Sequence, residues 1–361
     1  MNNFKIGIYC PSWMLAWHNT DHKIVRMFSR LDEFSDLKTD FVASASYTLS
    51  YNANKVVQRI APGAPLLLNH RIKGQKNDSD VIYHYGSPAA HEQFYKTVSH
   101  APVFLTTGFM TDRFMKNAFG QIGNRQQEAD RLADTLDKAA MIHFHSQGGL
   151  ERFLYYRPEF ESRAVAIPFF LPNLKLAGLS LNRNSAAVKI LFVGNEGLRK
   201  GLSELSTALD LLGIIYLKNF KVEITVVSKD RPIPKCGIQV TWLKKAAHTD
   251  VLNLMEEADI FVLVPKIESY GLVLIEAMNA GCAVLTDNDD TRKEIIGKAG
   301  MMLSSGTPEA IARGLKVLIE DKKGREELGR LARTRVQEKF IPAVVADEYA
   351  KQFRLLNLKK H

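Results

Sequence analysis

Residues 260–286 read IFVLVPKIESYGLVLIEAMNAGCAVLT, and no other stretch restricts the fold of this chain as strongly. Two apolar runs, 260–264 and 283–286, show no alternation of apolar and polar residues. Such runs are expected of parallel strands covered on both faces, where each face must be apolar. Between them lie a loop and a helix over 272–280, ended by Gly281 where a helix C-cap wants a left-handed residue. Strand, helix and parallel strand in succession make the stretch α/β. The rest of the chain must then supply further layers of that kind.

It does so in two successive doubly wound patterns. The first half carries strands over 5–9, 39–43, 65–69, 81–84, 102–106, 141–144 and 164–167. An amphipathic helix over 22–31 follows Asn19, Thr20 or Asp21 as its cap, and Ser146 is a natural N-cap for a helix over 149–155. LKLAGLSLNRNSAA, residues 174–187, reads as a linker. The second half opens with the strand VKILFVG, then a glycine-bearing loop, NEGLRKG, and a helix over 202–212. Strands over 222–227 and 239–243 and a helix over 248–258 lead into 260–286. A helix over 308–321 follows, and the tail AVVADEYAKQFRLL is amphipathic and helical. With 361 residues the chain holds two domains and buries ample core.

Two carboxylates fall inside the stretch 260–286. Glu268 lies just before the helix N-terminus and Glu276 about one turn in. The amides of Gly271, Leu272 and Val273 lack intrahelical acceptors and sit at the positive end of the helix dipole, a ready anion site. Glu276 falls in the mostly apolar helix LVLIEAMNA, where an unpaired carboxylate would be costly. Donors for phosphate and acceptors for hydroxyls in one place suit a nucleotide-sugar.

The pattern P-x-x-E-S-Y-G-L-x-x-x-E-A-M-x-x-G-x-x-V, residues 265–284, resembles the signature of retaining glycosyltransferases of the GT-B fold, family 4 (glycosyl transferases group 1). The resemblance implies two Rossmann-like α/β domains facing a cleft, with the last helix crossing back to the first domain. Domain bounds follow: 1–174 with 343–361 for the acceptor domain, and 185–342 for the nucleotide-sugar donor domain. It also implies that Glu276 holds ribose hydroxyls and Glu268 the transferred sugar. GNEGLRKG, residues 194–201, is similar to the family's diphosphate loop and places Lys200 on its lysine. Where the family often has Arg after the first Gly, this chain has Asn195, with Arg199 as the substitute cation. The donor set is then Gly194, Asn195, Arg199, Lys200, Ser269, Tyr270, Gly271, Leu272, Val273 and Glu276, and the catalytic set Glu268, Lys200 and His84.

The first half departs from the family pattern. The acceptor-side His usually found after a strand such as PVFLTT is replaced by Gly108, and PSWMLAWHNTD stands where Gly-Gly is usual. His84, at a strand end where α/β sites gather, is the replacement expected, with His143 and His145 of HFHS as alternatives. These departures support a second reading, a catalytically weak or inactive nucleotide-sugar-binding relative that acts as a scaffold or regulatory subunit. Asp287-Asn288-Asp289-Asp290 contains a D-x-D triplet, a metal motif in other transferases. Here it reads as a loop capping a helix at Thr291, and no metal or other cofactor is expected.

Charge and cysteines narrow the partners. The 48 Lys+Arg against 39 Asp+Glu give +9. With no zinc-finger spacing and no aromatic RNA-binding signature, nucleic acid is excluded as a partner. The balance fits a phosphate-rich donor and peripheral contact with an anionic membrane surface. Basic residues are spread out, with small clusters at His70-Arg71-Lys73-Lys76 and Lys322-Lys323-Arg325, and most of them read as solvated faces. No apolar run approaches the ~18 residues of a membrane span. MNNFKIGIYCP lacks a signal-peptide core, and three scattered cysteines read as buried thiols in a reducing compartment. The expectation is a cytoplasmic hexosyltransferase, peripheral at the inner face of the membrane. Its acceptor would be a glycan, a lipid-linked molecule or a small molecule, in bacterial cell-surface polysaccharide or glycoconjugate synthesis. A nicotinamide enzyme is excluded by the lack of G-x-G-x-x-G after a strand.

Overall fold

The apolar runs form two parallel sheets. The computed structural model describes residues 4–9, 37–42, 80–85, 103–106, 136–171, 186–232, 234–266, 268 and 270–358. The expected strand 65–69, the helix 22–31, Gly108 and the cluster His70 to Lys76 lie outside the described residues. Two compact units divide the chain, Met1–Pro172 with Pro342–His361, and Asn173–Ile341.

In the first unit, β1 (Phe4–Tyr9), β2 (Leu37–Val42), β3 (Val81–Tyr85), β4 (Val103–Thr106), β5 (Met141–Phe144) and β6 (Ala164–Ala166) pair in the order β2-β1-β3-β4-β5-β6. All pairs are parallel. Helix α1 (Gln147–Tyr156) starts where the Ser146 hydroxyl accepts from the Gly149 amide at 3.1 Å, as the sequence predicts. Its Leu150 and Phe153 close over Ile142, Phe144 and Phe160.

The second unit contains β7 (Val188–Val193), α2 (Leu202–Leu212), α3 (Ile214–Asn219), β8 (Val222–Val227), β9 (Val240–Leu243), α4 (His248–Glu257), β10 (Ile260–Val262), α5 (Leu272–Asn279), β11 (Ala283–Asp287), α6 (Asp290–Ile296), β12 (Met301–Leu303), α7 (Pro308–Glu320) and α8 (Lys322–Lys339). Its strands run parallel in the order β12-β11-β10-β7-β8-β9. Every residue of β10 is buried, as its uninterrupted apolar sequence requires. Helix α2 buries Leu202, Leu205, Ala208 and Leu209, one stripe at helical spacing, against α7. Thr307 caps α7, with Pro308 as its first residue.

The last helix, α9 (Pro342–Leu358), belongs to the first unit although it follows the second in the chain. Val345, Tyr349, Phe353 and Leu356 are buried. Tyr349 and Phe353 each set their ring 6.3 Å from that of Tyr83 in β3. Burial of one such ring contributes about 1.5–3 kcal/mol.

Strand order decides where a ligand can enter. In the second sheet the chain builds outward from β7 to β8 and β9, then returns to build β10, β11 and β12 on the other side. The helices that follow β7 and β10 therefore lie on opposite faces, and a crevice opens at the carboxyl ends of these strands. The first sheet has the same reversal between β1 and β3.

Candidate functional site

The loops 194–201 and 263–271 meet at the reversal point of the second sheet. Gly201 has φ 91°, and a Cβ there would lie 2.3 Å from the carbonyl oxygen of Val264, so only glycine lets the loops close up. Backbone and side-chain bonds then join them. The Lys266 amide donates to the Arg199 carbonyl at 3.0 Å, and Lys266 Nζ lies 2.9 Å from Glu204 Oε1.

Lys200 and Glu268, 68 positions apart, form an ion pair across the junction. Their side chains are only 14% and 8% exposed. Removing one partner would leave a nearly buried charge, which costs far more than the pair contributes. Beside them α5 begins at Gly271, its N-cap, with a left-handed backbone at φ 102°. The first-turn amides follow at Leu272 and Val273, so a cation and a helix N-terminus share one corner. Tyr270 is buried and Gly194 ends β7 with its amide on the Val227 carbonyl at 2.9 Å. Gly281 takes the expected left-handed conformation after α5, at φ 78°.

Glu276 is 4% exposed and accepts from Nε2 of His248 at 2.8 Å. His248, the first residue of α4, was not singled out in the sequence. The only signal pointing to it is the need of a carboxylate in an apolar helix for a donor.

Residues 180–335 match the family model described as glycosyl transferases group 1. The capsular polysaccharide biosynthesis glycosyltransferase CapM of Staphylococcus aureus is 28% identical over 169 residues, 44% of this chain and 43% of that protein. The sulfoquinovosyl transferase SQD2 of Arabidopsis thaliana is 26% identical over 160 residues, 41% of this chain and 30% of that protein. The chain thus spans less than half the length of these curated relatives. The solved structure of sucrose-phosphate synthase from Thermosynechococcus elongatus superposes with a TM-score of 0.69 and 17% identity, covering 98% of this chain and 99% of that one. The chain has the GT-B fold.

Within this GT-B chain, the family match falls on the unit that carries both pairs. Other residues singled out in the sequence sit elsewhere or are otherwise engaged. Arg199 pairs with Glu196 on the same loop and is partly exposed. That bond is the largest cause holding the Glu196 carboxyl below its usual range. Asn195 is exposed. Asp289 caps α6, accepting from the Thr291 and Arg292 amides, as the loop reading expects. Asp287 faces the buried Arg292, with Nη2 at 3.0 Å and Nε at 2.7 Å. Burial raises the Asp287 carboxyl and the guanidinium opposes the rise.

His143 and His145, the alternatives to His84, are engaged inside the first unit. Both are buried, His143 donating through Nε2 to the Ile167 carbonyl at 2.7 Å and His145 stacking on Phe169. Burial pushes His143 down to about 3 and His145 well below its ordinary value. His84 lies near the carboxyl end of β3, opposite Tyr9 of β1 in register, at the reversal of the first sheet. Ser269 lies outside the described residues, as does the side chain of His84.

The cluster Lys322-Lys323-Arg325 is solvated at two of its three residues. Lys322 and Lys323 are exposed, but Arg325 is buried and donates to the Leu318 and Ile319 carbonyls at the end of α7. Among the described residues no group of three His, Cys, Asp or Glu is placed to hold a metal. No described helix is long and apolar enough to cross a membrane.

Proposed function

We propose that this GT-B chain is a retaining, metal-independent hexosyltransferase of family 4 that takes its sugar from a nucleotide diphosphate sugar. One observation carries the reading: the Lys200–Glu268 pair stands at the strand-order reversal beside the N-terminus of α5, with Glu276 one turn further on. In this reading the second unit binds the donor. Lys200, Arg199 and the amides of Gly271 to Val273 oppose the diphosphate, Gly194, Asn195, Ser269 and Tyr270 line its approach, and Glu276 takes the ribose hydroxyls.

Glu268 accounts for two needs at once. In the free protein it balances Lys200, so neither charge is unpaired in a nearly buried place. When a diphosphate arrives it becomes the second anion on Lys200, and the Glu268 carboxylate turns to the hydroxyls of the transferred sugar. As the glycosidic bond breaks, negative charge grows on the leaving phosphate. Fixed positive groups aimed at that charge lower the barrier more than they strengthen ground-state binding. The leaving phosphate oxygen then accepts the proton of the attacking acceptor hydroxyl on the same face of the sugar, which retains the anomeric configuration. No cofactor enters, and Asp287 and Asp289 are already engaged by Arg292 and the α6 cap.

The first unit would bind the acceptor, with His84 contributing from the carboxyl end of β3. The likeness to CapM, a capsular polysaccharide biosynthesis glycosyltransferase, supports a polysaccharide or glycoconjugate acceptor of a bacterial cell surface. The net charge of +9 supports work in the cytoplasm at the inner face of an anionic membrane. A thermal-shift panel of nucleotide sugars tests the donor reading, since a ligand that binds only the native state raises the melting temperature. One base should give a clear rise and release of its diphosphate with an acceptor. A rise without turnover would favour the scaffold reading, and no rise with any donor would contradict both.

A further inference from the structure

We infer that His248 is the positioning residue for Glu276, and that recognition of the nucleotide's ribose depends on it. The inference rests on the reading of Glu276 as the ribose-binding carboxylate. His248 opens α4, the helix after β9, and so lies on the carboxyl edge of the second sheet with the loops 194–201 and 263–271. Glu276 reaches that edge from inside α5, whose other buried residues, Leu274, Ile275, Ala277 and Met278, are all apolar. A carboxylate on such a helix needs a polar group from another element to fix its direction. Nε2 of His248 supplies it at 2.8 Å on Oε1.

The exposures of the two side chains differ in a useful way. Glu276 is 4% exposed and His248 21%, so the imidazole is the side of the pair that faces outward. A carboxylate that must meet two vicinal hydroxyls has to be held at a set angle. A hydrogen bond to one oxygen restricts rotation about the last side-chain torsion, which is otherwise broad. The Nε2–H donor is present in the neutral Nε2 tautomer and in the imidazolium. A histidine that merely filled space at the start of α4 would not need its Nε2 on a carboxylate 28 positions away.

The test uses the full chain and calorimetric titration with uridine, guanosine and adenosine diphosphates and their 2′,3′-dideoxy counterparts. The wild-type protein should prefer the ribo form of its base. His248→Ala should weaken the ribo form roughly tenfold, the scale of one hydrogen bond to a charged group, and leave the dideoxy form unchanged. His248→Gln, which keeps an N–H donor and much of the volume, should restore most of the preference. Equal weakening of both forms by His248→Ala would overturn the inference, because a purely structural role does not distinguish the sugars. Glu276→Gln run in parallel separates the two levels. If it abolishes the ribose preference while His248→Ala keeps it, the positioning role fails and the donor reading stands. If Glu276→Gln keeps the preference, the ribose assignment fails and the inference falls with it.

Discussion

The two sheets treat histidine near a strand's carboxyl edge in opposite ways. In the first unit His143 and His145 are enclosed, one against the Ile167 carbonyl and Tyr349, the other against Phe169. Burial holds both neutral. In the second unit His248 is part open and touches a carboxylate, beside a lysine–glutamate pair at the reversal of strand order. The residue type is the same, with His143 in a strand and His248 at the start of a helix. What differs is the covering: α9 carries Tyr349 and Phe353 onto the first sheet, whereas His248 in the second unit keeps its side chain 21% exposed. A polar side chain becomes available for binding through what the neighbouring element fails to cover.

The largest effect should come from uncovering the first sheet. Phe353→Ala removes a fully buried ring and should cost about 3–5 kcal/mol. Hydrogen exchange should show protection lost in β3 and β5, with nucleoside diphosphate affinity unchanged. An affinity that fell in step would break the comparison. Next in size is Lys200→Ala, which should lower kcat/KM roughly 100- to 1000-fold, the scale of one lost donor to developing charge. Transfer kinetics at saturating acceptor check it, and a loss below threefold would remove Lys200 from the diphosphate site.

A smaller effect follows from pH. The folded-state values of His143 and His145 lie below the unfolded 6.5, so the native state binds fewer protons than the unfolded chain. Their contribution is complete above the unfolded 6.5 and is lost progressively as pH falls below it, toward about 3 for His143. Below 6.5 the destabilisation from each histidine grows as the pH falls. Exchange from β5, corrected for its intrinsic pH dependence, should accelerate between pH 7.5 and 5.5 more than exchange from β7. Equal acceleration would show that the enclosed histidines do not titrate as their burial demands. The smallest expected effect is none at all: excess chelator should leave transfer unchanged. Activity lost to chelator and restored by Mg²⁺ would direct attention to Asp287 and Asp289.

Much of this architecture could be read from periodicity alone. The bounds of β5, α2 and β8 fall where the sequence puts them, because each is a clean apolar run or a single stripe between turn residues. Helix α8 was missed. Its sequence, KKGREELGRLARTRVQEK, buries Arg325, Gly329, Ala332 and Val336, a stripe too small and too polar to register as an apolar face. That stripe suits its place, since a Cβ on Gly329 would stand 2.2 Å from the Gly281 carbonyl oxygen. The helix sits directly on the turn after α5. The pairing of Lys200 with Glu268 was equally hidden, because both were read as ligand contacts and neither as the other's counter-ion. His248 was invisible for a related reason: nothing in HTDVLNLMEE marks its first residue until Glu276 is seen to need a donor.

The central claim is that two carboxylates of one βαβ unit serve one donor in different ways, and the variants Glu268→Gln and Glu276→Gln test it directly. If Glu276 holds the ribose, as proposed, it contributes to ground and transition states alike. Its loss should weaken nucleoside diphosphate binding roughly ten- to 150-fold, with kcat less affected. If Glu268 acts on the sugar as the bond breaks, as proposed, its loss should depress kcat while diphosphate affinity stays nearly intact. Calorimetric titration beside steady-state kinetics on the same samples reads both quantities. A reversed pattern would exchange the two roles, and two variants with wild-type values in both would show that this stretch is not the donor site.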